Sequence, residues 1–179
     1  FYEQQPFRPR LIYRRSHPLG LRVAFHTIMQ YLDSQILDED WQRLEESDRT
    51  RLSNFYHNEL QGMGGPHVVP TGESWLPVLE DVFHSFLKLM EVSSARRPLL
   101  FVLDNAMYAD LASISLVSFM IEHGFFDRHG MLVFVTSPDV ENIELNQLIQ
   151  RVRRARKLVT ISLGPLGDEE IKGFIQNTI

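Results

Sequence analysis

Apolar positions follow two rhythms along the chain. In the first half they recur every three to four residues, the spacing of a helix with one buried face. Residues 19–37 carry Leu21, Phe25, Ile28, Met29, Leu32 and Ile36 at that spacing, and so predict an amphipathic helix. Residues 38–60 are more polar, and Trp41, Leu44, Leu52, Phe55 and Tyr56 predict one or two helices with modest burial. Trp75, Leu79, Val82, Phe83, Phe86, Leu87 and Met90 form a wide apolar face on a further helix, with Ser74 as its N-cap and residues 93–97 as its end. Glycines and prolines in residues 61–72 mark a surface connection before it. Residues 1–10, punctuated by Pro6 and Pro9, read as an extended loop. Leu11-Ile12-Tyr13 is a short strand candidate, and Ser16-His17-Pro18 breaks the chain after it.

The second half alternates short continuous apolar runs with helical patterns. Residues 99–103, 131–135 and 158–163 are such runs, and continuous runs suit strands buried on both faces of a parallel sheet. Helical patterns at 111–125, 142–156 and 168–176 separate and follow them. Strand alternating with helix predicts an α/β layered domain. The helices before Leu99 are expected to form one cover of the sheet, and those after Asp110 the other.

Composition narrows the function classes. The chain has 179 residues, a hydrophobic share of 44% and a charged share of 23%, the make-up of one ordinary globular domain. A net charge of -5 argues against binding driven by nucleic-acid phosphates. No window approaches the roughly 18 uninterrupted apolar residues of a membrane span. The absence of cysteine excludes disulfides, cysteine–zinc sites and a cysteine nucleophile. The seven histidines show no metal-ligand spacing, and no serine sits in a nucleophile elbow. Arg151, Arg153, Arg154, Arg156 and Lys157 cluster near a helix end, where solvated cations complement the helix dipole.

The most informative stretch runs from Arg97 to Asp110: an apolar strand, Leu99 to Leu103, ends in Asp104-Asn105, followed by Ala106-Met107-Tyr108 and then Ala109-Asp110 opening a helix. Ligands of open parallel sheets bind beyond the carboxyl ends of strands. An aspartate there can hold magnesium through water beside nucleotide phosphates, or simply cap a turn. Asp110 reads as a helix N-cap.

This stretch resembles the Walker B segment of the signal-transduction (STAND) branch of AAA+-like P-loop NTPases, modules found in soluble class III adenylyl cyclases and in LuxR-type regulators. Tyr13-Arg14-Arg15-Ser16-His17-Pro18 looks like the family's second strand and the loop after it. Residues 131–138 look like its sensor-1 strand, and Leu163-Gly164-Pro165-Leu166-Gly167-Asp168-Glu169-Glu170 is similar to the sequence that opens its helical lid. The resemblance implies a three-layer P-loop-NTPase-like parallel sheet flanked by helices. Residues 1–164 would be a partial core from the second strand onward, and residues 165–179 the start of the lid.

It also implies ATP and Mg2+ in the parent protein, with Asp104 as the metal- and cofactor-binding residue. Three departures qualify this. The chain contains no G-x-x-x-x-G-K-[ST] phosphate loop; by the resemblance that loop and the first strand lie upstream of Leu11-Ile12-Tyr13, so either they stand elsewhere in the parent polypeptide or this chain has rearranged. Asn105 stands where the family has a second acid that polarises the attacking water, and an amide cannot take up its proton. Ser137-Pro138 replaces an arginine-containing sequence after the sensor strand. Arg14 and Arg15 lie near the family's nucleotide side without an assigned role. The expectation is a regulatory nucleotide-binding module of a larger cytoplasmic signalling protein, weak or inactive in hydrolysis, with a soluble-adenylyl-cyclase-like parent and a cytoskeletal or ciliary assembly as a further setting. Its partner would be the remainder of that polypeptide or assembly. The alternative is a degenerate NTPase fold that serves as a protein-interaction scaffold without nucleotide.

Overall fold

The computed structural model describes residues 8–18, 25, 37–61 and 76–178. It divides into two units, residues 1–148 and residues 149–179. In the first, β1 (Arg10–Arg15), β2 (Leu99–Asp104) and β3 (Gly130–Phe134) form a parallel sheet in the order β1-β2-β3. Helices α1 (Asp38–Gln42), α2 (Glu46–Gln61) and α3 (Leu76–Ser94) lie between β1 and β2 in sequence. Between β2 and β3 come a single 3-10 turn (Ala106–Tyr108), α4 (Leu111–Glu122) and α5 (Phe125–Arg128). Helix α6 (Ile143–Arg154) runs into the second unit, which also holds α7 (Asp168–Thr178).

The expected mixed α/β organisation and the parallel strands at 11–13, 99–103 and 131–135 are present. The loop over 61–72 lies outside the described residues apart from Gln61, which ends α2, and Ser74 lies outside them altogether. So does most of the expected helix over 19–37. Its two described residues are not helical: Phe25 has a left-handed backbone with φ 58°, and Leu37 is extended before α1.

Two expectations about the sheet are corrected. The strands are not buried on both faces. Ile12, Phe101 and Leu132 stand in register on one face, where Ile12, Leu99, Phe101 and Leu103 are buried. On the other face Leu11, Tyr13, Met131 and Val135 are exposed. Nor, among the described residues, do α3 and α4, which precede and follow β2, form separate covers. Helix α3 packs on α4, and the Phe83 and Phe119 rings meet edge-on at 5.5 Å. The reason is topological. Strands added in one direction, through crossovers of one hand, place their connecting helices on the same face.

The third expected strand does not form either. Residues 158–163 have no regular structure, and Val159, Ile161 and Leu163 are 85%, 80% and 90% exposed. A strand needs a neighbour for its ladder hydrogen bonds, and no described strand pairs with this segment.

Local packing locks the first unit. Helix α2 is fastened to α3 by Asp48, a buried carboxylate that accepts from Ser85 Oγ at 2.7 Å, Lys88 Nζ at 2.7 Å and Arg51 at 3.3 Å. Burial pushes the Asp48 carboxyl up, but the hydrogen bonds of Lys88 and Ser85 and the charges of Lys88 and Arg51 outweigh it and bring it below its ordinary value. Arg10, at the start of β1, reaches buried Asp40 of α1 at 2.7 Å. Gly124, with φ 69°, ends α4 in the left-handed conformation that glycine adopts without steric cost. Gly130 opens β3 so close to β2 that an added Cβ would lie 2.0 Å from the Leu99 carbonyl oxygen.

Candidate functional site at the carboxyl edge of the sheet

Asp104 ends β2, the central of the three described strands, at the edge where open parallel sheets take ligands. Arg15 pairs with Asp104 and Tyr13 with Val102, so Tyr13, Arg15 and Asp104 share the open face. The Tyr13 hydroxyl donates to Asp104 Oδ2, and Arg15 Nε lies 3.7 Å from the same oxygen. The other oxygen, Oδ1, accepts from the Asn105 backbone N–H at 2.9 Å. The Asp104 side chain keeps 22% of its surface exposed. The hydrogen bond from Tyr13 to Asp104, with desolvation and the Asp104 charge, pushes the Tyr13 phenol above its ordinary value, while Arg15 pulls the other way.

The chain turns sharply at Asn105, whose φ of 52° is left-handed, a conformation that asparagine tolerates better than most residues. Val135 N–H donates to Leu103 at 2.9 Å, and the Val135 carbonyl then accepts from Ala106 instead of Asn105, again at 2.9 Å. One residue is therefore left out of the ladder, and its freed N–H is the one that holds Asp104. Asp110 caps α4 as expected: its carboxylate accepts from Ser113 N–H at 2.8 Å and from Ser113 Oγ at 2.7 Å.

A cavity of about 350 Å³ opens beyond β3, lined by Met107, Thr136, Ser137, Glu141, Asn142 and Asn146 among others. Neither Asp104 nor Asn105 lines it. Its wall depends on Asn142, a residue the sequence analysis did not single out. Asn142 Oδ1 accepts from Leu145 N–H at 2.9 Å at the start of α6, and its amide donates to the carbonyls of Met107 at 3.0 Å and Ala109 at 3.3 Å. The available signal was an asparagine just before an apolar-periodic run. Ser137, where the resemblance leads one to expect an arginine-containing sequence, donates instead to Asp139.

The edge offers one carboxylate to a metal ion. Among the described residues no three histidine, aspartate or glutamate side chains gather into a metal site. A lone carboxylate of this kind would hold Mg2+ at most through water. Such a hold competes with Tyr13, which occupies Oδ2, and with the positive charge of Arg15. The basic residues near the end of α6 are exposed, and those in its last turn, Arg151, Arg153 and Arg154, suit the helix dipole.

No protein-family model, no curated protein and no solved structure matches the chain. Among the described residues no helix is long and apolar enough to cross a membrane.

Proposed function

We propose that the chain is the regulatory, ATPase-like part of a larger signalling protein, with a soluble-adenylyl-cyclase-like parent, and that it works as a nucleotide-responsive switch more than as a catalyst. The observation that carries this reading is Asp104 itself: a partly exposed carboxylate at the carboxyl end of the central described strand of a parallel sheet, followed at once by a left-handed turn and a capped helix. The same elements carry the resemblance to STAND-type P-loop NTPases, and the order β1-β2-β3 agrees with a sheet entered after its phosphate-loop strand. In this reading Asp104 holds Mg2+ through water beside ATP, the metal neutralises phosphate charge, and the phosphate loop comes from another part of the parent polypeptide. Asn105 supplies no base for water attack, so hydrolysis is slow or absent. Helix α7 begins the lid that passes nucleotide state to the rest of the protein.

The test is calorimetric titration of Mg2+ and ATP into the longest polypeptide that carries the chain, beside its Asp104→Ala variant. Binding that weakens at least about tenfold in the variant supports the switch. Equal binding in both proteins overturns it.

A second reading, an interaction scaffold that binds no nucleotide, draws on a different observation. Val159, Ile161, Leu163, Leu166 and Phe174 of the second unit are all exposed, an apolar display larger than single scattered residues. The same titration separates the two: absence of binding in the parent polypeptide leaves the scaffold.

A further inference from the structure

We infer that residues 158–163 are a self-pairing strand: two copies of the chain join through this segment in an antiparallel pair centred on Ile161. The inference stands apart from the nucleotide reading and names a partner for the exposed apolar residues of the second unit. Val159, Ile161 and Leu163 alternate with Thr160 and Ser162, the two-residue period of a strand with one apolar face. The segment contains no glycine, proline or charge, and the β-branched Val159, Thr160 and Ile161 fill its middle. Residues 159–163 are exposed, and among the described residues their backbone makes no hydrogen bond. An uncharged, β-prone segment with unpaired backbone groups is a template for a strand of another chain.

The charges on either side select the partner and the direction. Arg151, Arg153, Arg154, Arg156 and Lys157 precede the segment, and Asp168, Glu169 and Glu170 follow it at the start of α7. Lys172, which bonds Glu169 at 2.6 Å, reduces the charge of the acidic flank without reversing it. Two parallel copies would set cations against cations and acids against acids. Two antiparallel copies set the basic flank of each against the acidic flank of the other, and pairing centred on Ile161 brings Arg154 level with Asp168 and Arg153 level with Glu169. The same register sets Ile161 against Ile161, Val159 against Leu163 and Thr160 against Ser162. Apolar therefore meets apolar and hydroxyl meets hydroxyl, the pairs that stabilise a ladder. One patch meets its own copy, the arrangement of a two-fold dimer.

Sedimentation equilibrium of the 179-residue chain without nucleotide tests the pairing. The expected mass rises with concentration from 20.9 kDa towards twice that value. Ile161→Lys, which sets like charges face to face at the centre of the pair, should weaken association at least about tenfold. Arg153→Glu/Arg154→Glu should also self-associate less, and should recover when mixed with Asp168→Lys/Glu169→Lys. Circular dichroism checks that each variant is folded. Direction is read from disulfides, because the chain has no cysteine of its own. In a glutathione redox buffer, Val159→Cys mixed with Leu163→Cys should give the mixed disulfide well above either like pair, whose partners would stand about 13 Å apart along the strands. A chain that stays at 20.9 kDa at every concentration overturns the inference and leaves the segment to a strand elsewhere in the parent polypeptide. A dimer that Ile161→Lys leaves unchanged also overturns it, and like-pair disulfides that exceed the mixed one overturn the antiparallel register. None of these outcomes involves Asp104, so failure here and failure of the nucleotide reading stay distinct.

Discussion

The backbone N–H of Phe25 donates to Asp110 Oδ1 at 2.8 Å, across 85 residues of chain. Phe25 is buried with a left-handed backbone, and its ring meets Phe55 edge-on at 4.9 Å. One carboxylate thus caps α4 and anchors a segment following β1 to the element following β2. Replacing Asp110 by alanine removes the cap and leaves a buried N–H without its acceptor. The expected loss is about 2–4 kcal/mol of unfolding free energy in urea, with Asp110→Asn losing less because it keeps an acceptor oxygen. A loss below about 0.5 kcal/mol would show that the bond contributes nothing net.

The Asp48–Lys88 pair makes stability depend on pH in a defined direction. Asp48 is held below its ordinary value of 3.8, so its contribution is complete above that value and disappears as pH falls through the lower, folded-state value. Lys88 is raised above its ordinary 10.5 by the hydrogen bond to Asp48, so its share is complete below 10.5 and is lost only as pH rises through the raised value. Between these limits the contribution is flat. Urea unfolding of wild type and Asp48→Asn should therefore differ most near neutral pH, and the gap should shrink as pH falls below 3.8. A gap that does not shrink below 3.8 would contradict the assignment.

Gly130→Ala should destabilise the sheet through a backbone clash. The added methyl would fall 2.0 Å from the Leu99 carbonyl oxygen, which no side-chain rotation relieves. The strands must part at their first paired residues, Leu99 and Gly130, with an expected loss of about 1–3 kcal/mol by chemical denaturation. Unchanged stability would mean that the two strands do not approach this closely in solution.

Arg156→Gly should act in the opposite direction. Arg156 has φ 57° just past α6, and the bonds Lys157 N–H to Val152 at 3.2 Å and Arg156 N–H to Arg153 at 3.0 Å are those of a Schellman ending. A non-glycine residue in that conformation is strained, so glycine should increase protection of the last α6 amides by about 1 kcal/mol, measured by hydrogen exchange. Reduced protection would place the value of Arg156 in its side-chain contacts instead.

The amino-acid sequence by itself determined the local pieces. The apolar run ending at Asp104, the cap at Asp110, the helices over 143–154 and 168–178 and the strand at 130–134 follow from periodicity and capping chemistry, which act within a few residues. Tertiary structure decided what no local pattern encodes. Tyr13 meets Asp104 across 91 positions because a parallel register aligns Arg15 with Asp104. Asn142 secures the turn after Asn105 because β3 returns beside β2. Asp48 is buried in a polar stretch because α2 packs on α3. The segment over 158–163 has the residues of a strand and lacks regular structure, because a strand exists only where a neighbour completes its hydrogen bonds. The connecting helices share one face of the sheet because strand order and crossover hand, which are properties of the whole chain path, determine which side each crossover covers.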